Sequence, residues 1–397
     1  MAGGHQRRPA VVLCLTLAIP VAEVLRARGQ GLGKRFHMEH GIPQADASAD
    51  AAARRLCRTD LGSGTVDRQQ EGTQEAAVEH GQHSGMWLPT EPPTWGRMFL
   101  VHLGPWSVVA VFSVLGLLVY LAAVVRLRRS GVAWPWWRTA AWLAGTVSVF
   151  AVTGTWLNGY SMVLFSIHMV QHMVLAMISP LLLLLGAPVT LALRTLPRGK
   201  GAAGTPRALL LDLLHSRVAR FLSAPGFTVP LFIASLYGIY FTPIFDLLMS
   251  NPAGHQFMLA HFVVTGVLFF GPVMAQDPWP RQHSHPMRIL ELVVPVPFHA
   301  FFGVAVMIAS TLLVDTFASP PASWGIDPVG DQTVAGGIAW SFGELPTVLV
   351  LIVVLVSWAG SDERRARALD RAADRTGDAE LKAYNARLKA LAEQRPN

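Results

Sequence analysis

Apolar runs of roughly 20 residues recur from residue 105 to residue 358, separated by short polar segments; that is the length a helix needs to cross the hydrocarbon of a bilayer. The pattern predicts about seven spans: Pro105 to Val125, Pro135 to Thr155, Val163 to Leu193, Thr228 to Met249, Gln256 to Ala275, Ile289 to Val314 and Ala335 to Trp358. Backbone groups in lipid must be satisfied within the chain, so the predicted fold class is all-α, a polytopic helical membrane protein. With 52% hydrophobic and 14% charged residues in 397, the composition agrees, because one soluble core could not hide that much apolar surface.

The ends break the pattern. Residues 1–98 read as a polar, alanine-rich extension with one short apolar run, Ala10 to Val21, behind Arg7 and Arg8. That run suits a signal-peptide core but lacks a good cleavage site. The alternative is an upstream extension of the gene model, with translation starting at Met38, Met86 or Met98. Both cysteines, Cys14 and Cys57, fall here, which leaves no thiolate in the membrane domain, 99–360. Residues 361–397 form a charged tail in which Leu381, Tyr384, Leu388 and Leu391 recur at helical spacing. Pro206 to Leu222 mixes leucines with Arg207, Arg217 and Arg220, as a helix lying in the membrane interface does.

Positive charge sets the expected orientation, since cytoplasmic loops carry the excess of Lys and Arg. The first-second, third-fourth and fifth-sixth loops hold Arg126, Arg128, Arg129, Arg138, Arg194, Arg198, Lys200, Arg207, Arg217, Arg220, Arg281 and Arg288. The intervening loops, Trp156 to Met162, Ser250 to His255 and Asp315 to Val334, hold none. The N-terminus is thus expected outside and the C-terminus in the cytoplasm. A pI near 9.9 then reflects topology and contact with anionic membrane lipid, with no need for nucleic acid.

Ionisable side chains within such spans are costly and mark functional sites. His168 and His172, spaced i, i+4, lie on one face of the third span, with His261 on the fifth, His299 on the sixth and Glu344 on the seventh. By helical rise, these groups and Asp246 gather in the outer half of the bundle. Imidazole and thioether together suit Cu(I), and Met162, Met169, Met173, Met177 and Met258 lie on or near the same spans. The expected metal site, which would accept Cu(I) and hold it on the outer side for transfer, is His168 and His172 as primary ligands, His261 and His299 as supplementary ones, and Glu344 behind them orienting an imidazole. The structural alternatives are helix-helix hydrogen bonds for the histidines and packing for the methionines. His283 and His285 read as cytoplasmic surface or helix-entry residues.

The string His168-Met169-Val170-Gln171-His172-Met173, followed by Pro180 and Leu185-Gly186-Ala187-Pro188-Val189-Thr190, resembles the CtaG family of cytochrome c oxidase assembly proteins. Phe241-Thr242-Pro243, Ser284-His285-Pro286, Pro297-Phe298-His299-Ala300-Phe301 and Gly343-Glu344-Leu345-Pro346 carry the same resemblance, and Trp358 to Arg364 is similar to actinobacterial members. The resemblance covers about Met86 to the C-terminus. It implies a non-enzymatic plasma-membrane factor that matures caa-type or related oxidases at the copper-delivery stage, with oxidase subunits or other copper chaperones as partners. The recipient of the Cu(I) held on the outer side would then be a nascent oxidase subunit. Two other classes remain: a copper or haem transporter, and a membrane di-iron hydroxylase or desaturase, whose histidines should cluster at the cytoplasmic face.

Overall fold

The computed structural model describes residues 86–197, 205–281, 283–376 and 379–393. Apart from the isolated bridge Val101↔Thr155, the regular structure there is helical. The sequence-predicted extension lies outside the described residues up to residue 85.

Helix α1 (Val108–Arg129) ends on Arg126, Arg128 and Arg129, cations that complement the negative end of its dipole. Helix α2 (Trp136–Thr153) starts after Pro135. The third apolar run is one rod, α3, made of Phe165–Met173, a π-helical turn Val174–Ile178, and Ser179–Leu185. It is interrupted at Gly186, Ala187 takes the left-handed conformation, and Pro188 starts α4 (Pro188–Thr195). Helices α5 (Pro206–His215) and α6 (Arg217–Leu222) bury no residue. Their Leu209, Leu213, Val218 and Phe221 are exposed, as in a helix whose apolar face rests in lipid.

The fourth run was expected to be continuous to Met249, but it breaks at Phe241-Thr242-Pro243 into α7 (Pro225–Tyr240) and α8 (Ile244–Met249). Pro243 lacks the amide hydrogen needed to continue the ladder, so α7 stops one turn short of it. Asn251 caps α9 (Pro252–Met274) by accepting from Gly254 N. The sixth run divides at Val294 into α10 (His285–Val293) and α11 (Pro295–Ile308). Helix α12 (Pro328–Thr376) carries the seventh run directly into the charged tail, and α13 (Ala379–Glu393) follows.

Among the described residues, five helical stretches are long and apolar enough to cross a membrane: Val108–Arg129, Phe165–Thr195, Pro252–Met274, His285–Ile308 and Pro328–Arg375. Pro225–Tyr240 is a shorter apolar helix. Side chains such as Phe112 and Val119 are 68% and 70% exposed on the bundle's flank, an apolar surface suited to lipid. The molecule is a multi-pass membrane protein.

Glycines set how closely the rods approach. A Cβ on Gly303 of α11 would lie 2.6 Å from Trp340 N of α12, and one on Gly266 of α9 would overlap the Ala176 carbonyl in the π-turn of α3. Gly266→Leu is therefore expected to push α9 off α3 and leave little monodisperse protein after solubilisation, measured by size-exclusion chromatography and thermal unfolding.

The folded unit begins before residue 99. Trp87 stacks on His102 and packs edge-on to Trp156, Tyr160 Oη donates to the Glu91 carbonyl (3.0 Å), and Trp324 Nε1 donates to the Thr90 carbonyl (3.4 Å). Residues 86–98 thus form a strap over the end of the bundle where α3 begins, and composition had placed them with the extension because they are polar and proline-rich. Asp331 at the start of α12 reaches Ser166 N at this same end (3.1 Å). The opposite end, where α12 runs into the tail, is marked by His285 stacked on Trp358.

Candidate functional site

The i, i+4 pair on α3 faces Tyr240, the last residue of α7. Its hydroxyl sits between the two imidazoles, 2.9 Å from His168 Nε2 and 3.0 Å from His172 Nδ1. His168 and Tyr240 are fully buried and His172 is 5% exposed, so neither nitrogen has water as an alternative partner. A phenol has one proton: it donates to one imidazole and accepts from the other. Which imidazole receives that proton depends on the tautomer of each ring. In the arrangement that leaves His172 Nε2 its lone pair, Tyr240 donates to His168 Nε2 and accepts from His172 Nδ1–H.

Aromatic rings close the site toward the Phe165 end. Phe245 meets His168 edge-on with centroids 4.9 Å apart, and Phe317 stacks on Phe165 at 4.9 Å. The loop carrying Phe317 is tied down by Asp246, whose Oδ1 accepts from Thr316 N (2.9 Å) and Thr316 Oγ1 (2.6 Å). Asp246, grouped with the outer polar cluster by its depth, is a loop clamp.

On the other side of His172 a small cavity of about 10 Å³ is bordered by His172, Met177, Ser235, Thr265 and His299. A second, also of about 10 Å³, shares His299, Met177 and Phe232 with it and is bordered by Glu344, Thr347, Leu292 and Pro295. His299 is 5% exposed and its ring rests on the backbone of Gly343, where a Cβ would overlap Nδ1. His299 Nδ1 has no hydrogen-bond partner among the described residues. Glu344, next to that glycine, borders the second cleft half-buried.

His261 stands behind the cleft wall. Ser235 Oγ donates to the Leu231 carbonyl (2.7 Å) and accepts from His261 Nε2 (2.8 Å). Among the described residues no three His, Cys, Asp or Glu side chains converge as a metal group. The four histidines therefore do not close on one point, because hydroxyls of Tyr240 and Ser235 occupy nitrogens of three of them. What faces the shared cleft is His172, His299 and Met177. The other methionines singled out for copper, Met162, Met169, Met173 and Met258, are buried packing residues outside both clefts.

Sequence reasoning passed over Tyr240 and Ser235. The signal for Tyr240 was available: a phenol inside an apolar run needs a partner, and it stands one residue before the Phe241-Thr242-Pro243 break. Asp277 explains another motif, accepting from Val189 N (3.3 Å), Thr190 N (2.7 Å) and Thr190 Oγ1 (2.6 Å) at the start of α4. Gly186-Ala187-Pro188-Val189-Thr190 is thus a helix break with its cap, a structural role.

A family model described as cytochrome c oxidase caa3 assembly factor (Caa3_CtaG) matches residues 118–361, which include every cleft residue named above. Uncharacterized proteins of Mycobacterium bovis and Mycobacterium tuberculosis are each 43% identical over 317 residues, 78% of this chain and 47% of theirs. An uncharacterized protein of Mycobacterium leprae is 41% identical over 314 residues, with the same shares. The chain thus spans about half the length of the curated relatives it matches. No solved structure matches it.

Proposed function

The chain belongs to the Caa3_CtaG family of cytochrome c oxidase caa3 assembly factors, and we propose that within this assembly role it holds a copper ion between His172, His299 and Met177 for delivery to a nascent oxidase. The observation that carries this reading is the relay through Tyr240. It engages His172 Nδ1, which leaves Nε2 for a cavity that His172, His299 and Met177 line together. Two neutral nitrogens and a soft sulfur suit Cu(I) and bind it without the permanence of a thiolate site. His168 and His261 serve as positioning residues and Glu344 as a nearby carboxylate.

The remaining expectations follow from charge. Seven crossings, with the Phe165 end of α3 outside and the tail in the cytoplasm, account for the alternating arginine content of the loops. The plasma membrane is the setting, and oxidase subunits or other copper chaperones are the partners. The role is non-enzymatic. A second reading, a copper or haem transporter, is favoured by two adjoining cavities that share Met177, Phe232 and His299 between the helices. A di-iron hydroxylase or desaturase is the third reading, one that calls for more histidines clustered at the cytoplasmic face.

Two measurements test the proposal. A strain lacking the protein is expected to lose most caa-type oxidase activity and oxidase-bound copper, and normal activity would remove the assembly role. Purified full-length protein is expected to bind about one Ag(I), a redox-silent stand-in for Cu(I), with affinity reduced at least tenfold by the double variant His172→Ala, His299→Ala. Metal flux through reconstituted vesicles at turnover rates would favour the transporter instead.

A further inference from the structure

The two clefts do not extend in both directions from His172. Toward the Phe165 end the relay is sealed by Phe165, Phe245 and Phe317, with His168 fully buried beneath them. The clefts run the other way, from His172 past His299 to Leu292 and Pro295, toward the end at which α12 enters the tail. Just beyond them lies a buried polar pair that the holding site does not use. His283 Nδ1 is 2.9 Å from Glu291 Oε2, and the two side chains are 6% and 3% exposed. His283 Nε2 and Glu291 Oε1 are both buried without a hydrogen-bond partner among the described residues. Arg288 spends its Nε on the His283 carbonyl (3.0 Å) and supplies a positive charge near Glu291, so the pair is fixed while one carboxylate oxygen stays open.

The register of α10 and α11 connects this pair to the site. Glu291, Pro295 and His299 recur at i, i+4 and i+8, one face of the helix, spanning about 12 Å at the helical rise. Pro295 and His299 border the second cleft, and Glu344 and Thr347 of α12 border it from the opposite wall. A monovalent cation moving through low-dielectric protein needs successive oxygen or nitrogen donors, because an unpaired charge is costly there. Glu291, Glu344 and His299 provide that succession. On the Phe165 side His168 has His255 and the Ser161 carbonyl as polar neighbours, behind the rings of Phe165, Phe245 and Phe317.

We propose that the soft cation held at His172 and His299 enters from the tail end of the bundle, through a vestibule formed by the buried Glu291–His283 pair and Glu344. This rests on the reading of the His172–His299 cleft as the holding site and adds the side from which it fills. The seal of phenyl rings then makes release toward the Phe165 end a separate step that requires movement of the Phe317 loop.

The test uses full-length protein in chloride-free phospholipid vesicles with silver nitrate outside. Protease cleavage of the α12–α13 tail distinguishes tail-out from tail-in molecules. Tail-out molecules are expected to load Ag(I), and tail-in molecules only after detergent is added. Loading confined to tail-in molecules, or equal from both sides, overturns the route. In detergent, Glu291→Gln and Glu344→Gln are each expected to slow Ag(I) loading about tenfold with final stoichiometry unchanged. Wild-type rates in both overturn the vestibule even if one variant folds poorly. Retention of Ag(I) by His172→Ala, His299→Ala at wild-type affinity overturns the holding site itself, and the route with it. Loss in that double variant with two-sided loading in the wild type overturns the route alone.

Discussion

Gly343→Ala is expected to behave as a His299 variant. The residue lies in a helix, where alanine ordinarily stabilises, but here the added methyl would overlap Nδ1, Cε1 and Cγ of the His299 ring. The imidazole cannot retreat freely, because α11 is locked against α12 by Gly303 and Gly336, each too close to the facing backbone to accept a Cβ. Either the ring swings out of the cleft or the helices part. Overpacking of this kind costs about 1–3 kcal/mol, which should appear as a lower unfolding temperature in detergent. Ag(I) affinity should fall to that of His299→Ala. Gly337→Ala is the internal control: it is in the same helix with nothing within 4 Å of the added methyl, and both quantities should stay at wild-type values. Equal behaviour of the two variants would detach His299 from Gly343.

Much of this arrangement was legible in the sequence, and what was not has physical causes. The apolar runs located the helices because lipid imposes one periodic solution on the backbone. The spacing of His168 and His172 placed both on one face because α3 stays regular across them. What they face was hidden: Tyr240 is 68 residues from His172 along the chain, and no local pattern encodes that pairing. Helices broke inside the predicted runs near Pro188 and Pro243, since a hydropathy run does not register a lost amide hydrogen. His283 read as a surface residue because its neighbours Arg281, Ser284 and Arg288 are polar. Its burial depends on Glu291, an acid inside the sixth apolar run whose cost in lipid was itself the signal. The four-histidine set rests on spacing and depth, which bring imidazoles together but do not show which nitrogens hydroxyls have already taken.

Tyr240→Phe separates ligands from positioning residues on α3. Removing the hydroxyl leaves His168 Nε2 and His172 Nδ1 buried without their shared partner, and it frees His172 to rotate or to carry its proton on Nε2. A hydrogen-bonding partner behind a ligating imidazole is typically worth about 10–100-fold in metal affinity. Ag(I) binding to Tyr240→Phe should weaken by that factor. His172→Ala should weaken it further, because it removes the donor atom. His168→Ala should cost no more than Tyr240→Phe, since His168 acts only through the phenol, and the double variant His168→Ala, Tyr240→Phe should bind like Tyr240→Phe alone. A His168 that ligates directly gives a different pattern, in which its loss matches that of His172 and adds to that of Tyr240. Titration of Ag(I) into the four purified proteins distinguishes the two. The outcome decides whether the paired histidines of α3 are two ligands or one ligand and the group that holds it in place.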